Sequence, residues 1–416
     1  MTTNKTILVL GTYDTKADEL NYLVERIQSQ QAQAITMDVS VLGDPPLPTT
    51  YSKHQVAQAA GVSIDDVIAS GDENSAMQLM ASGASALAAA LYQQGKFDGM
   101  IAMGGTMATD LALDVAQALP LGVPKYIIST VAFSPLIPAE RLAADIQMIL
   151  WAGGLYGLNS VCKSSLSQAA GAVVGAACAV APPQTDKPLI GMTSLGKSCL
   201  KYMVRLKPEL EKRGYEVAVF HATGMGGRAF ESMASEGRFV AVMDFCTQEL
   251  ANWQHGSTIN SGKDRMLNAG LAGIPQLIAP GAVDLVDFPE WMTLPEQFHN
   301  RPYHAHNRLL GSVVMNTQER CEVARLMTER LAQAQGPVHV MLPSHGIEEW
   351  DREGQDLHAP EALSEFLSTL TSALNTADID HSVLGCHIND AAFCEAALAT
   401  FDQWVAQGVI MKSTIT

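Results

Sequence analysis

Apolar, β-branched runs recur along the chain, and four of them stop at a turn built from glycine and threonine that leads into a helical pattern. Ile7-Leu8-Val9-Leu10 runs into Gly11-Thr12-Tyr13-Asp14-Thr15-Lys16, and Met100-Ile101-Ala102-Met103 runs into Gly104-Gly105-Thr106. The third and fourth turns are Gly191 to Ser198 and His221 to Gly227. Short continuous apolar runs of this kind suit strands covered on both faces. Leu20, Leu23, Val24 and Ile27 then repeat at helical spacing and predict a helix from Lys16 to Gln30.

The same reading predicts strands at Thr6 to Leu10, Ala34 to Val39, Gly99 to Met103 and Lys125 to Ser129, with a helix from Glu73 to Gln94 and another after Thr106. Leu42-Gly43-Asp44-Pro45-Pro46-Leu47-Pro48 is a loop, because its prolines fix the backbone and remove donors, and it is placed to act as a lid. Ala181 to Pro188 is polar and proline-rich and reads as an interdomain link. Beyond it the alternation restarts, with strands expected at Leu189 to Thr193, Glu216 to Phe220, Phe239 to Met243, Gln276 to Ile278, Val338 to Leu342 and Ser382 to Leu384. The rhythm predicts an α/β protein of two Rossmann-like subdomains, residues 1–182 and 187–416, with mainly parallel sheets. Ligands of such sheets sit beyond the carboxyl ends of the strands, where all four turns fall.

Composition narrows the partners. The chain has 416 residues, 47% of them hydrophobic and 17% charged, which fits two globular cores and argues against disorder. Its formal charge of −17 offers no broad basic surface to nucleic acid, so an anion would need local donors. The nearest approach to a membrane span, Ala169 to Ala181, is short and rich in Ala and Gly, and reads as a tightly packed helix. Met1-Thr2-Thr3-Asn4-Lys5 leads straight into a strand with no signal-peptide pattern. The 7 cysteines show no C-x-x-C pair or zinc spacing, consistent with reduced thiols in a cytoplasmic protein.

Each turn carries its own chemistry. The first amides of a helix lack internal partners and lie at the positive end of its dipole, so a strand-turn-helix junction suits phosphate or carboxylate. The first turn adds the hydroxyls of Thr12 and Thr15, the Asp14 carboxylate and Lys16, although Asp14 or Thr15 can equally cap the helix. In the second, Gly104 and Gly105 precede Thr106, with Thr109 one turn further on. Gly191-Met192-Thr193-Ser194-Leu195-Gly196-Lys197-Ser198 satisfies the phosphate-loop pattern, and Asp244 would supply a magnesium ligand at the end of an apolar strand. Yet few residues precede Gly191, so the strand is expected to run on through Thr193 and to bury that glycine. The fourth turn offers His221 as an acid or base, Thr223, Gly224, Gly226 and Gly227, and Arg228 as a bidentate anion ligand. Asp284 and Asp287 follow Pro280-Gly281, and further on His304 and His306 share one side of an extended segment, a pattern open to metal binding or to plain hydrogen bonding. His345-Gly346 and His387-Ile388-Asn389-Asp390 end the last strands, and Asn389 or Asp390 would cap the final helix.

With those stretches in view, the chain resembles a family of mostly uncharacterised bacterial and fungal proteins that shares the ATP-binding N-terminal region of the tomato mosaic virus resistance protein. The resemblance rests on Gly11 to Lys16, Leu119-Pro120-Leu121-Gly122-Val123-Pro124-Lys125, Phe220 to Arg228, and Pro280-Gly281-Ala282-Val283-Asp284. The second turn is shorter and poorer in glycine than is usual in that family, and Gly191 to Ser198 looks unlike it. The resemblance implies two α/β subdomains, nucleotide binding and a homodimer. Combined with the turn chemistry it yields the expectation of a cytoplasmic protein that binds ATP or a related nucleotide with Mg²⁺. Thr12, Asp14, Thr15, Gly104, Gly105, Thr106 and Thr109 would form one wall. His221, Thr223, Gly224, Gly226, Gly227 and Arg228 would face a small anionic metabolite. The alternatives are a non-catalytic nucleotide-gated module and a metal-assisted hydrolase or lyase built on His304, His306 and Asp287.

Overall fold

The computed structural model describes residues 5–142, 144–151, 153, 156–179 and 187–413. The chain separates into two compact units, residues 1–184 and 185–416. Most of the expected link, Ala181 to Asp186, lies outside the described residues.

In the first unit, strands β1 (Thr6–Gly11), β2 (Gln33–Asp38), β3 (Gly99–Gly104), β4 (Lys125–Ser129) and β5 (Ile146–Leu150) form a parallel sheet in the order β2-β1-β3-β4-β5. Side chains alternate across it. Leu8, Leu10, Met100 and Ala102 pack on one face against the helices Lys53–Ala59, Glu73–Gln93 and Thr106–Ala118. Ile7, Val9, Ile101 and Met103 pack on the other against Ala17–Gln28 and Ser160–Ala179. Both faces are therefore dry, which is why these strands read as unbroken apolar runs. The strand order reverses between β1 and β3, and that is where the first two turns open.

The second unit repeats the plan with β6 (Leu189–Ser194), β7 (Glu216–His221), β8 (Ala241–Cys246), β9 (Gln276–Gly281), β10 (Leu285–Pro289), β11 (Tyr303–Ala305), β12 (Leu310–Val314), β13 (Val338–Pro343) and β14 (Asp380–Leu384). Six of these make a parallel sheet, β14-β13-β9-β8-β6-β7, and the other three make an antiparallel sheet, β10-β12-β11. The fold is thus α/β, with two Rossmann-like parallel sheets.

Several expectations shift. β8 starts at Ala241, two residues later than the apolar run, because Phe239 turns aside to stack on Phe230 and meet Phe220 edge-on. Gly191 lies within β6, opposite Ala218 and Val242, where a side chain would strike the rings of Phe239 and Phe230. The helix after it begins only at Lys201, so Gly191 to Ser198 is strand and turn, not a phosphate loop. No helix among the described residues is long and apolar enough to cross a membrane.

Candidate functional site

A cavity of about 450 Å³ opens beyond the carboxyl ends of β1 and β2. Thr12, Asp14 and Thr15 line it from the first turn, and Met107 joins from the first turn of the helix Thr106–Ala118. Val39, Val41 and Leu42 come from the segment after β2, while Ile68, Asp72, Glu73 and Met77 close the far side. The expected lid loop is anchored from below: Lys53, itself buried, donates to the carbonyls of Val41 and Gly43 and pairs with Asp44.

The polar groups of this cavity are unevenly engaged. The hydroxyls of Thr12 and Thr15 bond to one another at 3.1 Å. Asp14 accepts from the Gly43 amide and the Ser40 hydroxyl accepts from the Asp14 amide, yet Asp14 Oδ1 is buried with no partner. Neither Asp14 nor Thr15 caps the following helix, whose N-cap position, Lys16, makes no side-chain cap bond. The helix Thr106–Ala118 is likewise uncapped, with Gly105 at its N-cap position. Gly104 answers first to packing, since a side chain there would come within 2.3 Å of the Ala108 methyl. Thr109 turns inward, bonded to the Gly105 carbonyl and the Ser129 hydroxyl, both at 2.7 Å, and does not face the cavity.

The fourth turn is occupied by the protein itself. The carboxylate of Glu249 accepts from the amides of Gly224 at 2.6 Å and Gly227 at 3.1 Å, the place an anionic ligand was expected to take. The glycines follow from that approach: a Cβ on Gly227 would lie 1.8 Å from Glu249 Oε2, and one on Gly226 would lie 1.8 Å from the His221 carbonyl oxygen. Arg228 pairs with Asp264, its Nη1 alone donating to both carboxylate oxygens. His221 stands at the end of β7, with Nδ1 at 2.9 Å from the Thr223 hydroxyl, and partial desolvation of its ring lowers its pKa.

Beside it, Arg265 is fully buried among three carboxylates, bidentate to Asp244 and bonded to Glu249 and Glu231. Asp244 also accepts from Thr193, so the carboxylate once expected to bind magnesium is consumed by Arg265 and Thr193. Burial raises Glu231 and Glu249 to about 7, with Arg265 opposing it. The reversal point of this sheet, between β6 and β8, is therefore filled by the chain's own ion network.

His304 and His306 have rings 4.9 Å apart, and both lie against Trp350. Asp287 does not meet them directly. Ser312 donates to Asp287 and bonds His306 Nε2 at 2.7 Å, so the order is carboxylate, hydroxyl, imidazole. Burial, and then His304, lower His306 to about 4, which keeps it neutral. No group of three or more His, Cys, Asp or Glu among the described residues is placed to hold a metal ion. At the last strand, Asp390 occupies the N-cap position of the helix Ala391–Ala406 without capping it; it accepts from the His387 amide and pairs with Arg352.

The sequence reading missed Glu249, Arg265, Arg320 and Glu348. Arg265 sits in the polar loop Ser261-Gly262-Lys263-Asp264-Arg265, which carries no periodic signal of burial. Glu348 was the more legible, following His345-Gly346 at a strand end.

Comparison with known proteins places this geometry in a family. The N-terminal domain model of uncharacterised protein family UPF0261 matches residues 5–182, and its C-terminal domain model matches residues 187–405. The chain belongs to UPF0261. A UPF0261 protein of Brucella melitensis is 56% identical over 414 residues, covering 100% of this chain and 99% of that protein. ToMV resistance protein Tm-1 of Solanum lycopersicum is 29% identical over 421 residues, covering 95% of this chain and 55% of that longer protein. Among solved structures, an S. aureus MnaA–UDP complex is similar with a TM-score of 0.23 and 11% identity, over 66% of this chain and 79% of that one.

Proposed function

We propose that this UPF0261 member binds ATP as its magnesium complex in the cavity beyond β1 and β2. The observation that carries the reading is the unpartnered, buried Asp14 Oδ1 in a cavity that also holds two threonine hydroxyls and an apolar wall. Val39, Val41, Leu42, Ile68 and Met77 suit the faces of a purine, and a volume of about 450 Å³ is of ligand size. The uncapped start of the helix Thr106–Ala118 favours phosphate. Asp14, Asp72 and Glu73 would repel a bare triphosphate, so charge compensation by a cation is required. Magnesium fits that requirement, since it is ordinarily held by one or two carboxylates together with the phosphates of its nucleotide. Asp14 would hold it here, and ATP is the nucleotide that the family resemblance implies. The homodimer implied by the same resemblance, and the cytoplasmic location expected from the cysteine pattern, belong to this reading, and light scattering on the purified chain checks the dimer.

The non-catalytic version, a nucleotide-gated binding module, is favoured over an enzyme centred on His221. Thr223 engages His221 Nδ1 and leaves Nε2 open for a proton, but the neighbouring amides that would cradle an oxyanion already hold Glu249. Calorimetry with ATP in the presence of Mg²⁺ and then of a chelator tests the binding: saturation is expected only with the metal. Equal affinity without metal would remove Asp14 from its role. Release of product from MgATP and small hydroxy acids, abolished by His221→Ala, would restore the enzymatic version.

A further inference from the structure

A second cavity, of about 470 Å³, lies beyond the carboxyl ends of β13 and β14 in the second unit. Arg320, from the helix Thr317–Leu331, is 3% exposed and lines it. Its Nε donates to the Met315 carbonyl and its Nη1 faces Asp284 at 3.2 Å, which leaves Nη2 for the cavity. Opposite the strand ends, the helix Pro360–Thr376 begins with Ala359 and Pro360 in the cavity wall and no side-chain cap.

The remaining lining groups sort by whether they are already engaged. His387 Nδ1 accepts from the Asn389 amide, so Nε2 carries the hydrogen and gives it to the Glu348 carbonyl and to Asp351. Asp351 takes a further bond from the Ile347 amide. Only glycine fits between them: Gly346 has φ 133, and a Cβ there would lie 2.2 Å from Asp351 Oδ1. Arg352 is paired with Glu349 and Asp390. His358 donates from Nδ1 to the Asp351 carbonyl, so its Nε2 can donate to an anion only when the ring is the imidazolium, and the His345 ring makes no bond among the described residues. The groups left over are thus a guanidinium nitrogen, two imidazoles and an uncapped helix start, which suit an anion, and the exposed carboxylate of Glu353, which opposes one.

We propose that this cavity binds the oxyanion end, carboxylate or phosphate, of a small metabolite, with Arg320, His345 and His358 as its ligands. Arg320 is held by its hydrogen bond to the Met315 carbonyl and its ion pair with Asp284, so its free edge is presented at little further ordering cost. All of these residues belong to the second unit, and the site stands independently of nucleotide binding in the first.

Calorimetric titration of the full chain with inorganic phosphate and, separately, with malonate tests the proposal. Saturable binding is expected at roughly millimolar dissociation constant, weakened about fivefold in His345→Ala and at least about tenfold in Arg320→Gln. The His345 ring is exposed and unbonded, so its alanine variant reports on the site even if Arg320→Gln, which strips Asp284 of its counter-charge, fails to fold. Saturation by malonate alone assigns a carboxylate and saturation by phosphate alone a phosphate, and either supports the site. No saturation by either probe, or binding unchanged in both variants, overturns it. Phosphate binding lost in Thr12→Ala but kept in His345→Ala would overturn it while leaving the nucleotide reading intact.

Discussion

Arg265 holds Asp244, Glu249 and Glu231 together from a fully buried position, and Glu249 in turn fills the amides of Gly224 and Gly227. Removing the one cation would leave buried carboxylates without compensation, a change that costs about 3–5 kcal/mol where a buried pair is broken. Arg265→Leu is therefore expected to lower stability by about that amount in urea unfolding, and a loss under about 1 kcal/mol would mean that the network is slack. Glu348 gives a pH signature. Burial, and next the charge of Asp284, push its carboxyl from the ordinary 4.5 up to about 9. Between those values the folded chain keeps a proton that the unfolded chain has released, so unfolding releases it. The stability this group contributes is complete below its unfolded value and is lost as pH rises through its folded one. Glu348→Gln should flatten the decline of the urea midpoint between about pH 5 and 9. Glu231 and Glu249 act with the same sign in both proteins and cancel in the comparison. Parallel declines in the two proteins would contradict the assignment.

At the scale of elements, Gly104 ties β3 to the helix Thr106–Ala118, because a methyl there would collide with Ala108. Gly104→Ala should destabilise by about 1–3 kcal/mol, the usual cost of overpacking, and a melting temperature equal to wild type would show that the helix can move away. The strands that the sequence reveals are those with both faces buried: Ile7 to Leu10 and Met100 to Met103 alternate between two dry cores, so every position is apolar. The edge strand β5 escaped notice because it is only half buried, with Gln147 and Leu150 outward. The antiparallel strands β10 to β12 were hidden by Asp287, Pro289 and Ser312, whose polar atoms or missing donor break the apolar run. Asp287 is nevertheless buried, since Ser312 and Gln248 satisfy one of its oxygens. Strand ends located the turns, but not which of them the chain fills for itself. That depends on long-range partners such as Glu249 for Gly224 and Arg265 for Asp244, separated by 25 and 21 positions.

At the scale of the whole molecule, two sheets of the same kind have met the same opportunity differently. In the second unit the reversal point between β6 and β8 is closed by Arg265 and its carboxylates, whereas in the first the region beyond β1 and β2 is a cavity with an unpartnered Asp14 oxygen. The proposed nucleotide site accordingly falls in the first unit. Calorimetric titration of MgATP into the wild-type chain and into Asp14→Asn tests that assignment most directly. The wild type should bind one nucleotide per chain, and Asp14→Asn should bind at least about tenfold more weakly, in line with the loss of a metal-orienting carboxylate. No heat of binding to the wild type at millimolar MgATP, or an affinity that Asp14→Asn leaves unchanged, would contradict it.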